Sequence, residues 1–279
     1  MQCRSLIFGA ALLLAGGHVL AAADQVAFRF APPAGKTWRE TSKVKTAIPI
    51  PRRDLRRVTE TETVSRLASA RAGQLSATVV SATNKLEDKV MESPLYQVLP
   101  GLTLTFKVGP DGQILDLVDF PKLLDQVRKS VPPERFEQVT PFFTPEALLG
   151  RRRAASNPLV GGLAGKTLAI GSTTAIPGTV QLPNGESFPV RFTVTLKGKE
   201  PTPACAGCVR VDFTSAPVLQ TGKPADIGAT GSGTALIDPA TLLTWSLKHD
   251  ETVVMEEPGS PATRMQVGLN VESSLAPEP

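Results

Sequence analysis

The chain has 279 residues, 41% of them apolar and 20% charged, with 30 Lys and Arg against 26 Asp and Glu. That is a globular composition, long enough for one large domain or two small ones. Two His and three Cys are too few for a multi-metal site or a zinc-finger array, and a formal charge of +4 makes no strong nucleic-acid field.

Residues 1–23 read as a secretory signal. Arg4 is a short basic n-region, Leu6 to Leu20 an apolar stretch, and Ala21 and Ala23 fit an A-x-A cleavage site before Asp24. The apolar run is short of the ~20 residues a membrane-spanning helix needs. No cysteine follows it to carry a lipid. The expectation is a cleaved, exported chain, periplasmic or secreted from a bacterium, and not an integral membrane protein. Residues 24–279 are then a single β-rich domain.

Val26–Phe30 alternates briefly and ends at Pro32-Pro33-Ala34-Gly35. Trp38, Val44, Ile48 and Ile50 follow at strand-like spacing. Val58 to Leu67 holds Thr59-Glu60-Thr61-Glu62-Thr63, and threonine favours strands through its stiff χ1. Leu75, Ala77 and Val79 alternate with smaller or polar neighbours. Leu102–Val108 is the cleanest period-two run. Pro110-Asp111-Gly112 and a second apolar run follow it, which predicts a hairpin: Pro sets φ, and Gly supplies a positive φ.

The period then changes. Phe120, Leu123, Leu124, Val127 and Val131 fall on one helix face, with Asp119 as a candidate N-cap and Pro121 near the first turn. Pro132-Pro133 ends that helix and starts another bearing Phe136 and Val139. Thr144-Pro145-Glu146 starts a third, ending near Gly150 and Arg151–Arg153. Residues 119–155 are thus a helical insert, and 156–165 read as a loop. From Lys166 onward strands return, at Thr167–Thr174, Gly178–Leu182, Ser187–Leu196, Cys208–Ser215, Thr230–Ile237, Leu242–Met255 and Arg264–Ser274. Turns rich in Pro, Asn and Gly separate them, as in an antiparallel meander.

Few constellations carry chemistry. Cys205-Ala206-Gly207-Cys208 in an exported chain predicts a structural disulfide between Cys205 and Cys208. The strand-like residues after it lack the helix N-terminus that activates redox C-x-x-C thiols. His249-Asp250 has no G-x-S-x-G elbow to serve, and reads as an exposed polar pair on a strand. No phosphate-binding glycine loop matches, so no cofactor is expected; two Cys and one His in the mature chain make a metal unexpected, and the small charge excess argues against nucleic acid. Two arginine clusters, Arg52, Arg53, Arg56 and Arg57, and Arg151, Arg152 and Arg153, are candidate contacts for an anionic partner. The apolar residues of the insert exceed what a surface decoration needs; they pack on the sheet as ordinary core or roof an apolar cavity.

The order of long strands, Pro-Asp-Gly hairpin, short central helices and second set of long strands resembles a group of uncharacterised exported bacterial proteins of this length. More distantly, it is similar to the half-barrel of periplasmic lipoprotein carriers and related lipid-binding envelope proteins. That resemblance, of pattern and not of signature residues, implies an apolar cavity and no catalytic residue. The fold expected is mainly β (α+β): a curved antiparallel sheet or half-barrel with a short helical insert. The function expected is non-catalytic binding of a lipid or other apolar ligand in the cell envelope. The alternative is a structural or protein-interaction module of the periplasm, with an envelope protein partner, acting through its surface and arginine clusters.

Overall fold

The computed structural model describes residues 24–50, 56–71, 73–182, 185–219, 226–257 and 260–278. The expected signal segment, and Arg52 and Arg53, lie outside them. The strands are β1 (Gln25–Ala27), β2 (Thr37–Pro49), β3 (Arg56–Arg71), β4 (Gln74–Leu86), β5 (Lys89–Val90), β6 (Thr103–Val108) and β7 (Ile114–Val118), then β8 (Thr167–Ala169), β9 (Thr173–Gln181), β10 (Ser187–Lys199), β11 (Val209–Pro217), β12 (Gly228–Ile237), β13 (Thr244–Glu257) and β14 (Ser260–Pro277). The helices are α1 (Pro94–Val98), α2 (Phe120–Ser130), α3 (Pro133–Val139), α4 (Pro145–Ala154) and α5 (Val160–Leu163), with a 3-10 turn at Thr140–Phe142.

The main sheet has 12 antiparallel strands in the order β7-β6-β4-β3-β2-β14-β13-β12-β11-β10-β9, with β5 beside β4; β1 and β8 pair separately. The chain therefore enters in the middle of the sheet and meanders to the edge at β7. It crosses through α2–α5 to the opposite edge at β9, then meanders back until β14 pairs with β2. The fold is mainly β, as the sequence predicts, and the sheet is not closed into a barrel. It is nevertheless strongly curved. Eleven flat strands would place the edges about 48 Å apart, yet both β7 and β9 pack against α4, a helix of 10 residues and so about 15 Å long.

Local signals explain the elements. Gly112 takes φ +84 in the β6–β7 turn, which is closed by the Gly109 N–H donating to the Gln113 carbonyl at 2.8 Å. In α2, Leu123 and Val127 are buried, and Phe120, Leu124 and Val131 pack at their flanks, so the expected face is the buried one. Asp119 precedes α2 but makes no side-chain cap; it sits at φ +55. Thr144 does cap α4, accepting from the Ala147 N–H at 3.2 Å. Two short helices were not expected: α1, and α5 within the stretch read as a loop. The expected Thr167–Thr174 strand divides into β8 and β9, and β9 runs through Pro177 and Gly178 without interruption.

Each long strand sends alternate residues to the two faces. The convex face of β2–β4 carries charge pairs, with Lys45 and Lys85 each 3.3 Å from Glu60, and Lys43 3.6 Å from Glu62. The concave face carries the core. Over β9–β14 it is filled by large side chains, among them Phe28, Ile176, Phe192, Leu196 and Ile237, with Leu159 and Leu163 from the crossover. Burying each is worth about 1.5–3 kcal/mol. Phe192 and Phe213 meet edge to face at 5.8 Å.

That core holds one buried polar cluster, which corrects the reading of His249. His249 is 4% exposed, and its Nε2 lies 2.6 Å from Oε2 of Glu251, itself 3% exposed. Ser215 Oγ donates to the other carboxylate oxygen at 2.7 Å. Asp250 points to the opposite face, where Asn270 donates to it at 2.8 Å. Ser215, Gly231 and Glu251 form one row across β11, β12 and β13, and Phe213, Gly233 and His249 form the next. The glycines make this possible. A Cβ on Gly231 would stand 2.5 Å from Glu251 Oε2, and one on Gly233 would stand 2.4 Å from Phe213 Cζ. The side chains of β11 and β13 thus meet above β12.

Candidate functional site

The concave face is filled differently on the β2–β4 side of the β14–β2 junction. The residues that β2 and β3 turn inward include Ser42, Thr46, Thr59, Thr61, Thr63 and Ser65. They are short and hydroxylated where the facing half of the sheet carries Phe, Leu and Ile. Helices α1 and α4 lie over this stretch, and the deficit in side-chain volume leaves a partly open cavity of about 350 Å³. That lies within the ~300–1,000 Å³ of typical small-molecule sites. Its wall is mixed. Val44, Val79, Leu99, Leu104, Phe106 and Leu148 form an apolar part. At the polar side Thr61 Oγ1 shares a hydrogen bond with the Tyr96 hydroxyl at 3.1 Å.

The charged groups of the wall come from two elements. Glu40 is on the inward face of β2, and Arg151 and Arg152 are on the last turn of α4, where cations also complement the helix dipole. Arg152 Nη1 donates to Glu40, and the two side chains are 15% and 14% exposed. Arg151 has no carboxylate partner among the described residues. It donates through Nε to its own helix at Ala147 (3.1 Å) and through Nη2 to the Phe142 carbonyl. Burial pushes the Arg151 guanidinium below its ordinary pKa, though an arginine stays charged at neutral pH. Two buried polar atoms of the wall have no hydrogen-bond partner among the described residues: Ser42 Oγ and Arg152 Nε.

A second cavity of about 240 Å³ lies between the two sheet edges and shares Glu40, Arg152 and Ala155 with the first. The Glu40–Arg152 pair therefore stands between the two spaces. Arg153 does a separate job. Its guanidinium donates to the Ile114 carbonyl at 2.9 Å and the Leu115 carbonyl at 3.1 Å, which satisfies acceptors of edge strand β7. On the other flank, a Cβ on Gly150 would lie 2.7 Å from Gly185 Cα, so α4 rests directly on the β9–β10 connection. Asn157 ties the crossover to β13 through Thr244 Oγ1 at 3.0 Å.

The sequence-derived candidates thus separate. Arg151, Arg152 and Arg153 sit on α4 with partners inside the fold, and the first two face the cavity. Arg56 and Arg57 are exposed at the start of β3. Cys205 and Cys208 are at disulfide-bonding distance, with S–S 2.07 Å and Cα–Cα 5.4 Å, in the turn before β11. Sequence reasoning missed Glu40, Ser42 and the hydroxyl row. The available signal was Thr59-Glu60-Thr61-Glu62-Thr63, a strand polar on both faces inside a large sheet. Among the described residues no cluster of three His, Cys, Asp or Glu could hold a metal ion, and no helix is long and apolar enough to cross a membrane.

The architecture is that of an open, curved antiparallel sheet with a helical crossover over its concave face. No family model matches the chain, and no curated protein matches it in sequence. Among solved structures it is similar to lipovitellin, in a structure describing that protein's lipid–protein interactions, with a TM-score of 0.49 and 12% identity over 88% of this chain. The chain spans 25% of that protein's length.

Proposed function

We propose that this chain is an exported, non-catalytic binding protein of the cell envelope, holding an apolar or amphipathic ligand such as a lipid between α4 and the concave face of β2–β4. The observation that carries this reading is the 350 Å³ cavity itself. It lies where the sequence places hydroxyl-bearing residues on the core face of two central strands. A concave cleft of this size, mostly apolar with a few convergent polar groups, has the form of a small-molecule site, which supports the reading. The Cys205–Cys208 pair suits an oxidising compartment.

The test is extraction. The chain from Asp24 onward is exported to a bacterial periplasm, purified without detergent, and extracted with organic solvent for mass spectrometry, beside an exported control protein. A stoichiometric apolar or amphipathic molecule absent from the control is the expected result. An empty extract, repeated after incubation with membranes, would overturn the reading. It would favour the alternative, a protein-interaction module, for which Arg56 and Arg57 are the exposed members of the first arginine cluster among the described residues.

A further inference from the structure

We propose that the cavity selects amphiphiles with an anionic headgroup, a carboxylate or a phosphate monoester, and that Arg151, Arg152 and Ser42 hold that headgroup. The proposal rests on the binding reading above and specifies its ligand. Three observations carry it.

The first is charge. The charged residues of the wall are Arg151, Arg152 and Glu40, which leaves a net charge of +1 (two Arg less one Glu). Glu40 is already engaged by Arg152, so the uncompensated charge is that of Arg151. A half-buried cation without a carboxylate partner attracts an anion more strongly than an exposed one, because screening by water is weaker there.

The second is the state of the donors. Arg152 spends Nη1 on Glu40, while its Nε is buried and has no partner. Ser42 is 5% exposed, lines the cavity, and its Oγ is likewise unpartnered. Leaving a buried polar group without a partner is costly, so native structures seldom leave two in one wall unless a ligand or water completes them. Both atoms can donate, and an arginine Nε–H and a hydroxyl together suit an oxyanion. Both residues line the same cavity. Ser42 follows Glu40 by two residues on the same face of β2, a rise of about 7 Å, and Glu40 is the residue that holds Arg152.

The third is polarity across the cavity. Leu99, Leu104 and Phe106 form a wall without charge, suited to an alkyl chain. A free small anion would leave this surface empty, and a neutral hydrocarbon would leave the donors unmet. An amphiphile with an anionic headgroup satisfies both.

The test uses isothermal titration calorimetry on the delipidated exported chain, with probes of one chain length: decanoate, decyl phosphate, 1-decanol and decyltrimethylammonium. Acetate and inorganic phosphate serve as tail-less anions. Decanoate or decyl phosphate should bind at least about tenfold tighter than decanol, the scale of one charge-assisted hydrogen bond. Which of the two is tighter assigns the headgroup. Arg151→Gln should abolish that preference without weakening decanol. Arg151→Lys, which keeps the charge, should retain most of it and guards against a variant that merely misfolds. Ser42→Ala should weaken the anionic probes alone.

Neither decanoate nor decyl phosphate binding more tightly than decanol would overturn the headgroup assignment while leaving the apolar site standing. Tail-less anions binding as tightly as decanoate would overturn the amphiphile. No binding of any ten-carbon probe would overturn both this inference and the reading it rests on.

Discussion

Removing the Glu251 carboxylate should damage the fold more than any surface change. Glu251 is 3% exposed, and its two oxygens are taken by Ser215 Oγ at 2.7 Å and His249 Nε2 at 2.6 Å. Glu251→Ala leaves both partners buried with nothing to bond, and adds a void beside Gly231. Breaking a buried pair by deleting one member costs about 3–5 kcal/mol. In a domain of this size each kcal/mol moves the midpoint by about 2–4 °C, so a drop of about 6–20 °C is expected. The assay is urea and thermal unfolding followed by circular dichroism. Two companion variants locate the cause. Ser215→Ala with Glu251→Ala should show a coupling of about 0.5–3 kcal/mol in a double-mutant cycle. Replacing all three by Ser215→Ala, His249→Phe and Glu251→Leu should recover much of the loss, because an apolar cluster has no unmet polar group. A cost within about 0.5 kcal/mol for Glu251→Ala, the range of ordinary surface changes, would refute the reasoning.

Phe192→Ala, at a fully buried ring packed edge to face on Phe213, should cost about 3–5 kcal/mol in the same unfolding assay. Replacing both Cys205 and Cys208 with Ser opens a loop of sequence separation 3, and loop-closure entropy puts the loss at about 2 kcal/mol; a thiol count before and after reduction checks the starting state. The third concerns acid. Burial would raise the Glu60 carboxyl, but hydrogen bonds and charge from Lys45 and Lys85 outweigh it and hold the group below its ordinary value of 4.5. A depressed carboxylate contributes stability that is present above its unfolded pKa and lost as pH falls through its folded one. Replacing Lys45 and Lys85 with Met should therefore return the Glu60 titration, read by NMR, towards 4.5, and soften the stability loss on acidification.

The parts of the fold legible in the sequence are those set by neighbours along the chain. The Pro110-Asp111-Gly112 turn, the α2 face of Leu123 and Val127, and the Thr144 cap each follow from residues within a few positions of one another. Features set across the sheet were not legible. Glu40 and Arg152 are 112 positions apart, and nothing local marks them as partners. His249 reads as a polar strand residue beside Asp250. Only the register that aligns Gly231 and Gly233 between β11 and β13 makes room to bury it against Glu251. The five-residue helix α1 is too short to carry a period. The apolar insert was legible as core, around Leu123, Val127 and Phe143, but of its large apolar side chains only Leu148 lines the cavity, and the cavity's walls were not legible. Placing them required knowing that Thr59, Thr61 and Thr63 face inward while Glu60 and Glu62 face out.

The pairing of β14 with β2 sets an order of events for the folding chain. Gly268 lies opposite Ala47, 221 positions earlier, and the register runs on to Pro277 opposite Trp38. Every other junction in the main sheet joins strands that are near in sequence and can zip early, the widest being β4 to β6 across α1. This junction pays the loop-closure entropy of nearly the whole chain. Until it closes, β2 and β14 are bare central edges, each a template for the wrong neighbour. Assembly is therefore two half-sheets waiting on one late suture, and the interval before it forms is when the chain is most exposed to aggregation.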